Sequence, residues 1–466
     1  MQASGAPERK SSMMNRGSAR VAAVASTAIV VMALTACSTS EASSGVKNDS
    51  GCDVQPESRG SEPLTGEPSG EITFQTTNLK KDFSGFFEPL IAEFEEQNPE
   101  VTVTWIDDPG DQDFESRTLA QARACDLPDV VNLNITAVTG LNEADQLIDF
   151  SAKAPDVGSV YVESVWDSIA FDEGAQHPAL PWYWSPSVLT YNKELLEKAG
   201  LDPENPPTTS EEFFDVAQTI GEEADGEFYA LNGNVAWDFL TDWQAAGVEM
   251  MNDDHTEFTF ADDPQAIAYV QGLADAYAAG AIAPDSVAGS PDPTEAYSAG
   301  QVVFGTRNAS FLRYLRDNAP SIYPVTGVAS APQSTGKTPF VGQYIAVPNT
   351  TENPEAAVAF AAFLTNDANQ LAWAKDPGVV VFPSSTEALK DPFFSATADG
   401  DPLSQARAVA AEDALDAAFS PAMIHFGAAV TAETTKQLQL ATIGEISPEE
   451  ALQAAQDAGN QQLASK

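Results

Sequence analysis

Apolar and polar positions begin to alternate at residue 71. In Glu71-Ile-Thr-Phe-Gln-Thr76 the apolar residues fall every second position, the period of a strand with one buried face. Phe87, Leu90, Ile91 and Phe94 then recur at helical spacing, and Asn98-Pro99 ends that helix. Alternation returns at Val101, Val103 and Trp105, and Asp129-Val-Val-Asn-Leu-Asn134, after Leu127-Pro128, reads as a third strand. A strand–helix–strand unit of this kind is right-handed with parallel strands. Ligands of such sheets meet the loops beyond the strands' carboxyl ends. That makes Thr76, Thr77 and Asn78 after the first strand, and Asn134 and Thr136 after the third, hydrogen-bonding candidates.

A second pattern lies in Ala179-Leu-Pro-Trp-Tyr-Trp-Ser-Pro-Ser-Val-Leu-Thr-Tyr-Asn-Lys193. Trp182, Tyr183 and Trp184 stand between Pro181 and Pro186, and each proline fixes φ, so no ordinary amphipathic helix forms here. The stretch predicts a rigid loop presenting flat rings, followed by a short apolar strand. An aromatic corner capping the core is the alternative.

The segments before residue 70 differ in kind. Arg9, Lys10, Arg16 and Arg20 precede the uncharged run Val21 to Ala33, which is too short to span a bilayer, and Leu34-Thr-Ala-Cys37 follows, so residues 1–36 read as a signal peptide. Leu-Thr-Ala-Cys resembles bacterial lipoprotein cleavage sites, which implies lipidation of Cys37 and a tether to the outer face of the cytoplasmic membrane. Residues 37–69, rich in Ser, Glu, Gly and Pro, read as a flexible stalk. With Cys37 committed to lipid, Cys52 and Cys125 remain as a pair in an oxidising compartment, and a disulfide between them would pin the stalk to the body. The first 36 residues hold four basic residues and one acidic residue, so their removal moves the formal charge from −47 to −50. Nucleic acid is a poor partner for so acidic a surface, because phosphate binding needs clustered Lys and Arg. The membrane is then reached only through the lipid.

Gly70-Glu-Ile-Thr-Phe74, Ile91-Ala-Glu-Phe-Glu-Glu-Gln-Asn-Pro-Glu-Val-Thr-Val103 and Leu127-Pro-Asp-Val-Val131 resemble the extracellular solute-binding proteins of ABC importers, particularly the maltose-type sugar-binding group. Pro181-Trp-Tyr-Trp184, Tyr191-Asn-Lys-Glu-Leu-Leu-Glu-Lys-Ala-Gly200 and Pro207-Thr-Thr-Ser-Glu-Glu-Phe213 are similar to that family's first crossing between lobes. Locally, Gly200 closes a helix over 194–199, and Thr209 with Glu212 forms a capping box for the next. Phe258 to Ala266, Ala296 to Phe304, Phe340 to Pro348 and Gly444 to Leu452 continue the resemblance in order, over about residues 70 to 460.

The resemblance implies a two-lobed, periplasmic-binding-protein-like α/β fold, each lobe a mixed sheet flanked by helices, joined by three hinge crossings. The expected division is 70–182 with 342–380 for the N-terminal lobe, and 183–341 with 381–466 for the C-terminal lobe. It further implies a monomer that holds a sugar, a mono- or oligosaccharide, in the cleft and passes it to permease subunits. Sugars need flat rings against their C–H faces and fixed polar groups for their hydroxyls. The ring candidates are Trp182, Trp184, Trp237 and Phe426, then Tyr183, Trp243 and Tyr344; the polar ones are Asn78, Asp82, Asn134, Ser185, Arg307 and Gln343, with Gly342 at a hinge. The chain departs from the family at Ser185, where relatives often carry an acid, at Gln343, which replaces a glycine, and near Arg307, where no aromatic precedes Phe311. No catalytic motif stands against this reading. His177, His255 and His425 are isolated, with no metal-ligand spacing, and neither a Gly-x-Ser-x-Gly elbow nor a phosphate loop occurs. No cofactor is expected, and a secreted carbohydrate hydrolase, or a binder of glycerol phosphate or peptide, is the alternative.

Overall fold

The computed structural model describes residues 46–466 apart from 111–113, 172–175, 186, 233–238, 288–292, 307–310, 340–341, 378, 397, 399, 415–416, 419 and 465–466. Twelve strands are defined in it: β1 (Val46–Lys47), β2 (Asp53–Val54), β3 (Gly70–Thr77), β4 (Val101–Asp108), β5 (Val130–Leu133), β6 (Ala179–Trp184), β7 (Val188–Asn192), β8 (Thr326–Ser330), β9 (Thr338–Pro339), β10 (Gly342–Ala346), β11 (Phe382–Pro383) and β12 (Ala417–Ala418). Three helices of the first lobe bear on the site: α1 (Lys80–Gln97), α2 (Phe114–Arg123) and α3 (Ile135–Glu143).

The first lobe is built on a six-stranded mixed sheet in the order β11-β6-β10-β5-β3-β4. β3 runs parallel to β4 from Gly70↔Val101 to Thr77↔Asp108, and parallel to β5 at Phe74↔Val130. The two periodicities mesh: α1 buries Phe87, Leu90, Ile91 and Phe94, and Phe87 meets Phe74 of β3 at 6.3 Å and Trp105 of β4 at 5.2 Å.

The aromatic stretch differs from the rigid loop expected of it. Ala179–Trp184 is strand β6, inserted between β10 and β11. Pro181 is tolerated because the β10–β6 register slips there: Gln343 pairs with Tyr183 and Tyr344 with Pro181, so Trp182 is passed over. A bulge is where a strand can hold a residue lacking an N–H.

The second lobe rests on β7 paired antiparallel with β8, from Val188↔Ser330 to Asn192↔Thr326, and Tyr191 bridges Phe304. A second apolar core gathers on it, with Phe213, Trp243, Phe258, Phe260 and Phe426 fully or nearly buried. Gly200 takes φ +76° after the helix Lys193–Lys198, as its position requires. At the next helix Thr209 accepts from Glu212 N at 3.2 Å, but Glu212 Oε2 returns to Thr208 N and Oγ1, each at 2.8 Å, rather than to Thr209.

The chain passes between the lobes three times. It leaves β6 for β7 through residues 185–187 and returns between β9, which pairs with β12, and β10. After β11 the chain stays on the first lobe beyond the expected boundary at 381: Val162 N donates to Ser384 O, Thr386 N donates to Val160 O, and Lys375 pairs with Asp391 at 2.8 Å. It then reaches the helix Pro402–Asp413, which packs on β8. Likewise β6 keeps Tyr183 and Trp184 in the first sheet, past the expected boundary at 182. In both cases sheet hydrogen bonds, not the end of an apolar run, decide where the lobe stops.

Residues 46–69, expected as stalk, form a strap on the first lobe. β1 pairs with β2, Cys52 is bonded to Cys125 with 5.6 Å between their Cα atoms, and Asn48 Nδ2 donates to Asn349 at 3.2 Å. Arg59 pairs with Asp145, and the buried Lys153 donates to the carbonyls of Arg59 (2.6 Å) and Glu62 (3.2 Å). Polar backbone captured by a disulfide and a buried amine holds this segment without an apolar core of its own. Residues 1–36 and Cys37 lie outside the described residues.

Candidate functional site

The carboxyl edge of the first sheet collects most of the polar candidates. Asn78 follows β3, Asp107 and Asp108 end β4, and Asn134 follows β5. The antiparallel strands reach the same edge, because Tyr344 is opposite Leu133 and Gly342 is opposite Trp184. Gly342 and Gln343 therefore stand beside Tyr183, Trp184 and Ser185.

Each side chain is held by local chemistry. Thr76 is fully buried; its Oγ1 donates to Asp107 Oδ1 at 2.6 Å and accepts from Trp105 Nε1 at 2.9 Å, so it supports the edge rather than facing solvent. Asp107 also accepts from the backbone N–H groups of Leu79 and Lys80, both at 3.1 Å, where a carboxylate complements the start of α1. Asn78 takes φ +53°, in the left-handed region that asparagine tolerates better than most residues, and its N–H donates to Asp108 O at 2.8 Å. Asp108 receives the Arg117 guanidinium in a fork, Nη2 at 2.6 Å and Nε at 3.1 Å. Asn134 caps α3 through Ala137 N at 2.9 Å and donates to Glu115 Oε1 at 3.2 Å. Half-buried Gln343 accepts from Asn132 Nδ2 at 3.0 Å.

The rings divide differently from expectation. Trp182 (1 % exposed) packs edge-on to Phe87 at 5.8 Å and parallel to Trp373 at 6.2 Å, inside the core. Trp184 lies buried against Phe382 at 5.5 Å, and Tyr344 is buried, with burial raising its phenol pKa. Trp243 packs on Phe239 and Phe260, and Phe426 on Phe258, in the second core. Among the described rings of this set Tyr183 alone is half-buried; it meets Trp373 at 5.9 Å, and burial again raises its phenol pKa. A ring whose faces are filled by protein has none left for a sugar, so the buried rings are core residues. Trp237 and Arg307 lie outside the described residues. Asp82 is exposed, with Arg313 of the second lobe 3.8 Å away.

Sequence reasoning missed Glu115, Arg117 and Arg313. The first two follow a strand end by one short loop, the position that singled out Asn78 and Asn134, and that rule would have reached them. Among the described residues, no group of three or more His, Cys, Asp or Glu could hold a metal ion, and no helix is long and apolar enough to cross a membrane.

Comparison with known proteins agrees with this architecture. The profile of the bacterial extracellular solute-binding proteins matches residues 77–371, well over half of the chain. The chain belongs to that family. Its sequence is similar to the diacetylchitobiose binding protein DasA of Streptomyces coelicolor, 30% identical over 131 residues, 28% of this chain and 30% of that protein. The chain spans about a third of the length of the curated relatives it matches. Among solved structures, a periplasmic-binding protein from Synechococcus sp. MITs9220 superposes with TM-score 0.73 and 26% identity, over 84% of this chain and 99% of that one. The cyclic alpha-maltosyl-1,6-maltose binding protein of Arthrobacter globiformis shares the fold with TM-score 0.69 and 20% identity, over 85% of this chain and 100% of that one. The family and these neighbours are binding proteins, and their two-domain form is the one described above.

Proposed function

We propose that this protein captures a neutral sugar, a mono- or oligosaccharide, between its lobes and delivers it to the permease subunits of an ABC importer. The observation that carries the reading is the polar sheet edge of a solute-binding family member: Asn78, Asn134, Ser185 and Gln343 lie there beside the half-buried ring of Tyr183. Amide donors and acceptors already fixed by neighbours can replace water on hydroxyls at small ordering cost, and the ring can cover an apolar sugar face. The diacetylchitobiose-binding relative and the oligosaccharide assignment of the Synechococcus protein support this class of ligand. Asp108 neutralises Arg117, which weakens that cation's attraction for a phosphate ester. Ligand closes the lobes because the closed form touches it from both sides, and its higher affinity for that form shifts the population. Cys37 carries the lipid that keeps the monomer at the outer face of the membrane.

The test is thermal shift and calorimetric titration of the protein against mono- and oligosaccharides, including N,N′-diacetylchitobiose and maltotriose, with glycerol 3-phosphate and a tripeptide as competing classes. A saccharide at about a hundred times its Kd stabilises by about 2.7 kcal/mol and is recovered intact. Stabilisation by the phosphate ester or peptide alone overturns the sugar assignment, and release of shortened saccharide overturns the binding-protein reading.

A further inference from the structure

Asp82, a polar candidate for the ligand by sequence, has a cation of the other lobe beside it. It stands in the first turn of α1, next to a kink where Phe83 leaves helical geometry (φ −123°, ψ 19°). Arg313 belongs to the helix Phe311–Asn318, which follows the Phe304 bridge to β7 and packs against the helix Pro402–Asp413 that covers β8. The two residues are thus carried by different lobes. Arg313 Nη2 lies 3.8 Å from Asp82 Oδ2, and the centre of its guanidinium is 5.4 Å from the Phe83 ring centroid. The Phe83 ring in turn meets Trp373 edge-on at 4.8 Å, and Trp373 stacks along Trp182 of the β6 crossing. A cation is therefore received by a carboxylate and by a ring face whose other contacts lie in the hinge-side core.

We propose that Arg313 is a positioning residue for closure, a cross-lobe latch received by Asp82 and Phe83 that favours the closed arrangement before any ligand adds its own contacts. The proposal rests on the two-lobe closure stated above. The ion pair itself lies at the surface, so breaking it leaves both lobes folded, although Leu312 and Leu315 beside Arg313 are buried in one continuous apolar cluster with Phe83 and Trp373. At half exposure the pair is partly screened by water, which limits its effect to about two- to five-fold in the closed-to-open ratio. The ring contact adds in the same direction, since guanidinium is attracted to an aromatic face.

The test needs no ligand. Spin labels on Thr104→Cys in the first lobe and Glu222→Cys in the second, both exposed positions, report the interlobe distance distribution of the disulfide-intact protein. Asp82→Lys and Arg313→Glu are each expected to shift the distribution toward longer distances by about two- to five-fold, and the double exchange Asp82→Arg with Arg313→Asp to restore it. Raising NaCl from about 0.05 M to about 1 M, where the screening length falls to about 3 Å, should reproduce the single variants in the unmodified protein. Urea midpoints should stay together across all four proteins, which a merely structural contact would not permit. Unchanged distances in the single variants, or a double exchange no better than either single one, overturn the latch. Variants that open the lobes in a protein that no saccharide closes would refute the sugar reading and leave the latch standing.

Discussion

Trp182→Ala separates the two meanings of the aromatic stretch. The ring is 1 % exposed and is touched by Phe87, Tyr183 and Trp373 at centroid distances of 5.8, 4.8 and 6.2 Å. Burying about 150–250 Å² of aromatic side chain at about 25 cal/mol per Å² stabilises by about 4–6 kcal/mol. That is an upper bound, because an unfolded chain already covers part of its apolar surface. Mutational series place Trp→Ala in cores at about 3–5 kcal/mol, the cavity included, and this is the loss expected here. Urea unfolding followed by circular dichroism measures it without relying on the fluorescence of the tryptophan removed. In calorimetric titration of the folded variant with a saccharide that binds the unmodified protein, affinity should fall by less than threefold, about 0.6 kcal/mol. Tyr183→Ala should show the reverse, a small stability change with at least a tenfold loss of affinity, about 1.4 kcal/mol. An unmoved urea midpoint for Trp182→Ala together with lost binding would return that ring to the cleft and refute its assignment to the core.

Two further predictions concern the first lobe away from the cleft. Replacing Cys52 and Cys125 by serine opens a crosslink between residues 73 apart, worth about 4 kcal/mol in chain-entropy models; amide exchange at Leu64, whose N–H donates to Lys153 O, should accelerate, and protection of that amide equal to the parent's would show that the strap holds without the bond. His177 lies against Trp166, Ser151 and Asp149, and burial lowers its pKa below 6.5 although Asp149 and Asp167 oppose the shift. The unfolded chain then binds the proton first, so stability falls as pH drops below about 6.5 and goes on falling to the folded pKa. His177→Gln should flatten that part of the pH–stability profile, and an unchanged slope would place the titration elsewhere.

Local periodicity carried the first lobe well, because β3, α1 and β4 each bury one continuous face and that face is visible as spacing. It carried β6 poorly. Two prolines and three adjacent rings look like a loop when read alone, and only the bulge opposite Gln343 and Tyr344 lets Pro181 sit in a sheet. A residue three strands and 160 positions away in the chain leaves no local trace of that kind. The strap was misread for a related reason: composition measures how much apolar surface a segment can bury, whereas this one is held by Cys52, Lys153 and Arg59 through bonds to its partners. Among the site candidates, position relative to a strand end pointed to Asn78 and Asn134 and the family resemblance to Gln343, while the demand for flat rings pointed to Trp182, Trp243 and Phe426, which the cores claim.

The hinge explains why the aromatic stretch stands out so strongly in the chain. β6 and β10, the strands that flank the first two crossings, are hydrogen-bonded neighbours in one sheet, and β11, which precedes the third, pairs with β6 on its other side. A rotation between lobes cannot be absorbed inside paired strands without breaking their ladder, so it falls to the residues just past their ends, such as Ser185 after β6. For those short segments to bend reproducibly, the strands feeding them must stay still. Trp182 and Trp184 pack β6 against Phe87, Trp373 and Phe382, and this ring layer supplies that rigidity. Tyr183 lies between the two tryptophans and is the only one of the three left half-buried. Its ring meets Trp182 at 4.8 Å and Trp373 at 5.9 Å, so all three aromatics help to hold the strand that feeds the pivot.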